Sequence, residues 1–185
     1  MKRLLIIVLI LALVFTLAVG CKKKEEPIQP PQEQENPQEQ ESAFEEREIL
    51  LFYPDQNNNF LLPEFRKVTV QKDIETEDLA RLVLEELISG TENSQLKCIV
   101  PRNAKLLSVD VYGESIELDF SEDFIVKSYT KREKLLQVFS VVNTLSELGL
   151  EEVVILVDGK PVSDIYTSIE YEMPYLRNDE LMPSK

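Results

Sequence analysis

The sequence predicts an α+β domain: one mixed β-sheet with two main helices packed against it, in the order strand, strand, helix, strand, strand, helix, strand. Three observations point there. Short runs of alternating apolar and polar residues recur from residue 47 to about 175, two longer segments repeat apolar residues at helical spacing, and turn residues separate them. Residues 48–54 (EILLFYP) and 65–71 (FRKVTVQ) are expected as a hairpin across the polar loop 55–59. Thr76 is expected to cap a helix over 77–89. Glu77 and Asp78 then sit at the positive end of its dipole, and Gly90 lies where a C-terminal cap belongs. Leu79, Ala80, Val83, Leu84 and Leu87 share one face, which must cover a sheet.

Residues 105–112 and 115–120 form a second expected hairpin, joined at Gly113 and Glu114. A second helix is expected over 135–148, stopping at Gly149. Residues 151–157 (EEVVILV) follow as a strand that ends in the tight-turn pair Asp158 and Gly159, with a further strand expected near 165–171.

Ahead of this domain, Lys2 and Arg3 precede an almost uninterrupted apolar run from Leu4 to Val19, the pattern of an export signal. A membrane span is the competing reading. It needs about 20 apolar residues, and the run is cut by Gly20, Cys21 and Lys22 to Lys24. Residues 17–21 (LAVGC) resemble the lipobox of bacterial lipoproteins. That resemblance implies cleavage before Cys21 and lipid on its thiol, which makes the membrane a partner through the anchor. Residues 21–46 are rich in Glu, Gln and Pro and cannot bury enough apolar surface to offset their ordering entropy. They are expected to form a spacer with a coil span of roughly 25 to 30 Å. The expected organisation is a leader over 1–20, a linker over 21–46, a domain over 47–179 and a tail over 180–185.

Composition narrows the chemistry. There is no histidine, so the commonest general base and metal-ligating imidazole are missing. A formal charge of -14 opposes attraction to nucleic acid and to anionic lipid. Removing Lys2 and Arg3 with the leader leaves 18 basic residues against 34 acidic, so lipid rather than charge must hold the chain to a membrane.

No catalytic residue, metal ligand or cofactor site is expected. Asp55, Asn57 and Asn59 mimic the opening of a calcium loop, but Phe60 stands where Gly is needed and Arg66 where a bidentate Glu is needed. Asp119, Glu122 and Asp123 are expected as solvated strand-end carboxylates rather than an acid and base pair, and Ser121 as a turn cap. Cys98 is the remaining thiol after lipidation and is expected to be a small buried hydrophobe.

The second helix is apolar over well beyond half its circumference, with Gln137, Ser140, Thr144 and Glu147 as a narrow polar strip. Either strands and the chain end wrap around it, or part of it is a contact surface. Asn143 lies inside the apolar arc and is expected as a structural clamp bonded to loop backbone.

Residues 100–109 (VPRNAKLLSV), 118–124 (LDFSEDF), Gln137 with 142–145 (VNTL), and 153–160 (VVILVDGK) together resemble the GerMN domain of sporulation and spore germination proteins, over roughly residues 48–179. The resemblance implies a compact α+β fold similar to ring-building domains of secretion channels. It also implies a place outside the cytoplasmic membrane, often on a lipoprotein, and no catalytic residues. Two roles follow as expectations: an assembly or interaction module with a protein partner or a second copy, or a receptor for a small ligand or wall polymer.

Overall fold

The structure is a computed structural model that describes residues 43–183; the expected leader, Cys21 and the linker up to residue 42 lie outside them. β1 (Phe44–Pro54) and β2 (Leu61–Gln71) form a long antiparallel hairpin with Phe44 opposite Gln71 and Pro54 opposite Leu61. β1 thus begins three residues before the expected start of the domain. Glu45 faces Val70 and Arg47 faces Val68, so the acidic start of the strand is carried by the valines opposite. In the loop, the Asp55 carboxylate accepts hydrogen bonds from the backbone N–H of Asn59 (2.6 Å) and Phe60 (3.4 Å), which closes the turn.

α1 (Thr76–Ser89) buries Leu79, Ala80, Val83, Leu84, Leu87 and Ile88. Thr76 is its first residue rather than its cap; Glu75 holds the cap position without a side-chain bond. Gly90 ends the helix at φ 90° and ψ -177°, a backbone region that is essentially glycine's alone. A Cβ there would lie 2.5 Å from the Cys98 sulfur. Cys98 itself is half-buried, not the buried hydrophobe expected, because its sulfur lies against the exposed Arg102 and accepts from the Thr91 N–H.

β3 (Leu106–Tyr112) and β4 (Ser115–Phe120) make the second hairpin, and β4 pairs in parallel with β5 (Glu152–Val157). The link between these parallel strands is α2 (Lys131–Ser146). A two-residue strand, β6 (Lys160–Pro161), completes the order β3-β4-β5-β6, and the short helix α3 (Val162–Ile165) follows. The class is the α+β predicted, but the single sheet resolves into a two-stranded and a four-stranded one. The strand expected near 165–171 is absent. In its place Tyr175 forms a single antiparallel bridge to Val153.

The reason for two sheets lies at Phe52. Its N–H donates to Thr144 Oγ1 (3.1 Å) and its carbonyl accepts from Ser140 Oγ (2.5 Å), so two hydroxyls of α2 occupy backbone groups that a neighbouring strand would otherwise use. Every residue of α2 from Leu136 to Leu145 is buried. β1 packs on it, and the segment from Tyr171 to Leu181 crosses it, with Phe139 edge-on to Tyr171 at 4.9 Å and to Tyr175 at 6.0 Å. Of the two alternatives for this helix, wrapping is the one observed. Leu181 is buried as well, so the part of the expected tail at 180–181 belongs to the domain.

α2 starts four residues earlier than expected, at a capping box. Thr130 Oγ1 accepts from the Glu133 N–H (3.2 Å) and Glu133 Oε2 accepts from the Thr130 N–H (2.9 Å). These bonds from Thr130, with Lys97 adding to them, hold the Glu133 carboxyl below its ordinary value of 4.5. Stability from this group is therefore present above pH 4.5 and lost as pH falls through the depressed folded value. Thr130→Ala is expected to cost about 1 kcal/mol. Glu133→Gln keeps the box but should flatten the acid limb of a thermal-melt series; an unchanged limb would refute the assignment.

Candidate functional site

Four of the residues singled out from sequence meet at the ends of the parallel strands β4 and β5. Open sheets commonly place ligands beyond the carboxyl ends of their strands. Here Asp158 (φ 48°) and Gly159 (φ 73°) both adopt positive φ and turn the chain from β5 into β6. The Gly159 N–H lies 3.1 Å from both Asp119 carboxylate oxygens, and the Asp158 N–H donates to the Phe120 carbonyl at 2.9 Å. Ser121 Oγ accepts from the Lys105 N–H (3.0 Å) while its own N–H donates to the Lys105 carbonyl (2.8 Å). Ser121 stands at the cap of a 3-10 turn, Glu122–Phe124, yet its hydroxyl ties down the loop before β3 instead of bonding that turn. Phe124 stacks on Phe120 at 4.6 Å and seals the strand end from below.

An open hollow of about 790 Å3 lies over this junction, bordered by Pro101, Asn103, Ser121, Glu122, Asp123 and Asp158. It is acidic, with no histidine in the chain and Lys127 as the one basic residue among the described residues that border it. Ser121, on the border of the hollow, and Asp119, at the end of β4 beside it, are committed to backbone N–H groups. Among the described residues, no three His, Cys, Asp or Glu are grouped so as to hold a metal ion. What the arrangement does chemically is lock three chain segments together.

Asn143 belongs to a different constellation. It is fully buried on α2; its Nδ2 donates to the Asn178 carbonyl (3.1 Å) and its Oδ1 accepts from the Asn178 N–H (3.0 Å). Three polar neighbours on the same helix, the strip legible in the sequence, are equally buried. Gln137 donates to the Phe124 carbonyl (2.7 Å) and accepts from the Tyr166 hydroxyl (2.9 Å), while Ser140 and Thr144 hold Phe52. Tyr166 in turn accepts from the Val126 N–H, and burial raises its hydroxyl pKa, so it stays protonated. The spacing of Gln137, Ser140 and Thr144 within an otherwise apolar helix was the available signal.

Arg66 was also missed as a structural centre. Its guanidinium bonds Glu64 and Glu86, the Glu86 and Gly90 carbonyls, and Ser89. Burial alone would lower its pKa, but the bonds to Glu86 and Glu64 more than offset that and keep it charged. Residues 50–163 match the family model described as Germane: sporulation and spore germination. The chain belongs to the Germane family. That match takes in β1 from Leu50 onward, β2, the second hairpin, α1, α2 and β5, and so the β4–β5 junction and the buried strip of α2.

Solved structures place the Germane fold alongside it. The first GerMN domain of the sporulation protein GerM from Bacillus subtilis aligns at 20% identity and a TM-score of 0.50, over 70% of this chain and 93% of its own. The tandem GerMN domains of the same protein give 20% identity and 0.52 over 70% of this chain. This chain spans only 44% of that tandem structure, which holds two such domains. A protein of Clostridium perfringens described as a lipoprotein aligns at 22% identity and 0.42, over 62% of this chain and 76% of its own. No curated protein matches the sequence. Among the described residues of the Germane domain and its flanks, no helix is long and apolar enough to cross a membrane.

Proposed function

We propose that this Germane-family chain is a lipoprotein, held on the extracytoplasmic face of the cell membrane by lipid on Cys21, whose domain is a non-catalytic interaction module of the cell envelope acting in sporulation or spore germination. The observation that carries the reading is the use made of the polar side chains. Asp119, Ser121, Gln137, Ser140, Asn143 and Thr144 each hold another part of the chain in place, so recognition falls to the outer surface. The family description supplies the sporulation setting.

The anchor is tested by labelling cells with radioactive palmitate. Cys21→Ala is expected to abolish the label and leave an uncleaved precursor; normal labelling of that variant would overturn the anchor. The module is tested by light scattering over a concentration series together with crosslinking in membranes, and a strictly monomeric chain without adducts would refute it. A turnover activity lost on replacing Asp119 or Glu122 would refute the non-catalytic reading.

A second reading, a receptor for a small ligand or wall polymer, draws on one feature. A hollow of about 500 Å3 beside the C-terminal segment is bordered by Phe139, Tyr171, Tyr175, Asp179 and Arg177, the last paired with Glu147 and Asp179. Aromatic rings at its wall suit a sugar or peptide. A thermal-shift screen with muropeptides separates the readings, because a bound ligand raises the melting temperature.

A further inference from the structure

We propose that the open face of the β3–β4–β5 sheet docks a basic protein segment, one in which lysine or arginine alternates with aliphatic residues. This rests on the interaction-module reading and names the surface and the chemistry of the partner.

The sheet has one covered face and one open one. Val109, Ile116, Leu118, Phe120, Val153, Ile155 and Val157 are buried toward the helices. The alternate residues point the other way, as the period of two requires. None of the nine positions on that side of the three strands (108, 110, 112, 115, 117, 119, 152, 154 and 156) carries a lysine or arginine.

Asp110 and Glu117 stand directly opposite each other in the β3–β4 register; Asp119, which holds the Gly159 N–H, and Glu152, which accepts from the Ser115 hydroxyl (2.6 Å), extend the acidic face along β4 and β5. Like charges in opposed positions destabilise a sheet. Among the described residues, no basic side chain pairs with any of these four carboxylates, although eight ion pairs form elsewhere. Beside them on β5, Val154 and Leu156 are only partly buried.

That combination selects the occupant. A bare cation would answer the carboxylates but not Val154 and Leu156, and the carboxylates are strung along three strands instead of converging. An anionic lipid surface would be repelled. A protein segment with basic and aliphatic side chains meets both, and its positive charge relieves the Asp110–Glu117 opposition, so binding recovers what the free sheet loses.

The test titrates the full chain, in detergent, with a synthetic peptide of alternating Lys and Val, and with its Glu–Val counterpart. The Lys–Val peptide is expected to bind and the Glu–Val peptide not. The double variant Asp110→Asn/Glu117→Gln is expected to weaken binding about tenfold. Glu85→Gln/Glu172→Gln removes the same charge from exposed positions off this face and should change it less than about twofold. Equal weakening by the two double variants, or none by the first, overturns the assignment. The sheet-face variant should melt at or above the wild-type temperature, which excludes unfolding as the cause of lost binding; a lower melt overturns the claim that these carboxylates strain the sheet.

A photoreactive residue at Val154 and another at Phe65, on the hairpin, separate this proposal from the reading beneath it. Membrane adducts from position 154 that vanish with Asp110→Asn/Glu117→Gln support the surface. Adducts from 65 alone overturn it and leave the interaction module standing. Adducts from neither overturn both.

Discussion

Replacing Arg66 by alanine is expected to cost about 3 kcal/mol of folding free energy. The side chain is only 20% exposed, and it answers two carboxylates and the end of a helix together. One guanidinium nitrogen lies 2.8 Å from Glu86 Oε2 and 2.9 Å from the Glu86 carbonyl; the other lies 2.5 Å from Glu64 Oε1 and 2.8 Å from the Gly90 carbonyl. α1 has no basic residue in its last turn, so Arg66, arriving from β2, supplies the positive charge that the carbonyl end of the dipole favours. Removing it leaves Glu64, itself 16% exposed, with a half-buried charge and leaves the helix end short of donors.

Arg66→Lys should recover less than half of the loss, because one ammonium cannot span acceptors on both sides of a planar fork. Urea unfolding would show the midpoint falling at unchanged slope. A loss below about 1 kcal/mol would mean that water satisfies these groups and would refute the assignment.

Asn143→Ala is expected to be of similar size, about 3 kcal/mol, and to act locally first. It removes both hydrogen bonds to Asn178 and leaves that partly buried residue's N–H and carbonyl unpaired beside a void. Asn143→Leu fills that void while leaving the same backbone groups unpaired, so the difference between the two variants separates packing from hydrogen bonding. In both, protease cleavage and amide exchange between residues 170 and 183 should rise before the rest of the domain opens. The C-terminal segment keeps other ties, including Arg177 to Glu147 and its cation–π contact over Phe52 at 5.5 Å. Equal exchange rates in wild type and variant would overturn the clamp.

Much of the fold could be read from residue order because the local signals agreed with one another. Alternation marked both hairpins, and Asp158 with Gly159 marked a turn that needs positive φ twice. The misses each have a physical cause. Apolar spacing places the start of α2 at Leu135, although its first turn is the charged Lys131, Arg132, Glu133 and Lys134; Thr130 and Glu133 carry the earlier signal. At the start of β1, Glu45 and Glu46 match linker composition, and only their partners across the hairpin show that they form a strand.

Residues 165–171 alternate like a strand, yet the edge of β5 is taken by β6 at one end and by Tyr175 at the other. The site divides in the same way. Asp158, Gly159, Ser121 and Asp119 lie close together in or beside turns and could be found locally. The roles of Arg66, Gln137, Ser140 and Thr144 depend on partners on other elements, and no local pattern carries those.

The encasement of α2 also sets the order in which the chain can become a domain. Its walls come from residues far upstream, at Phe52, and far downstream, at Asn178 and Leu181, so no N-terminal portion has a finished core. A chain delivered N-terminus first must wait in an open form until Asn178 and Leu181 are available. Closure then comes late and from the C-terminal side, and a chain ending before Asn178 should remain open.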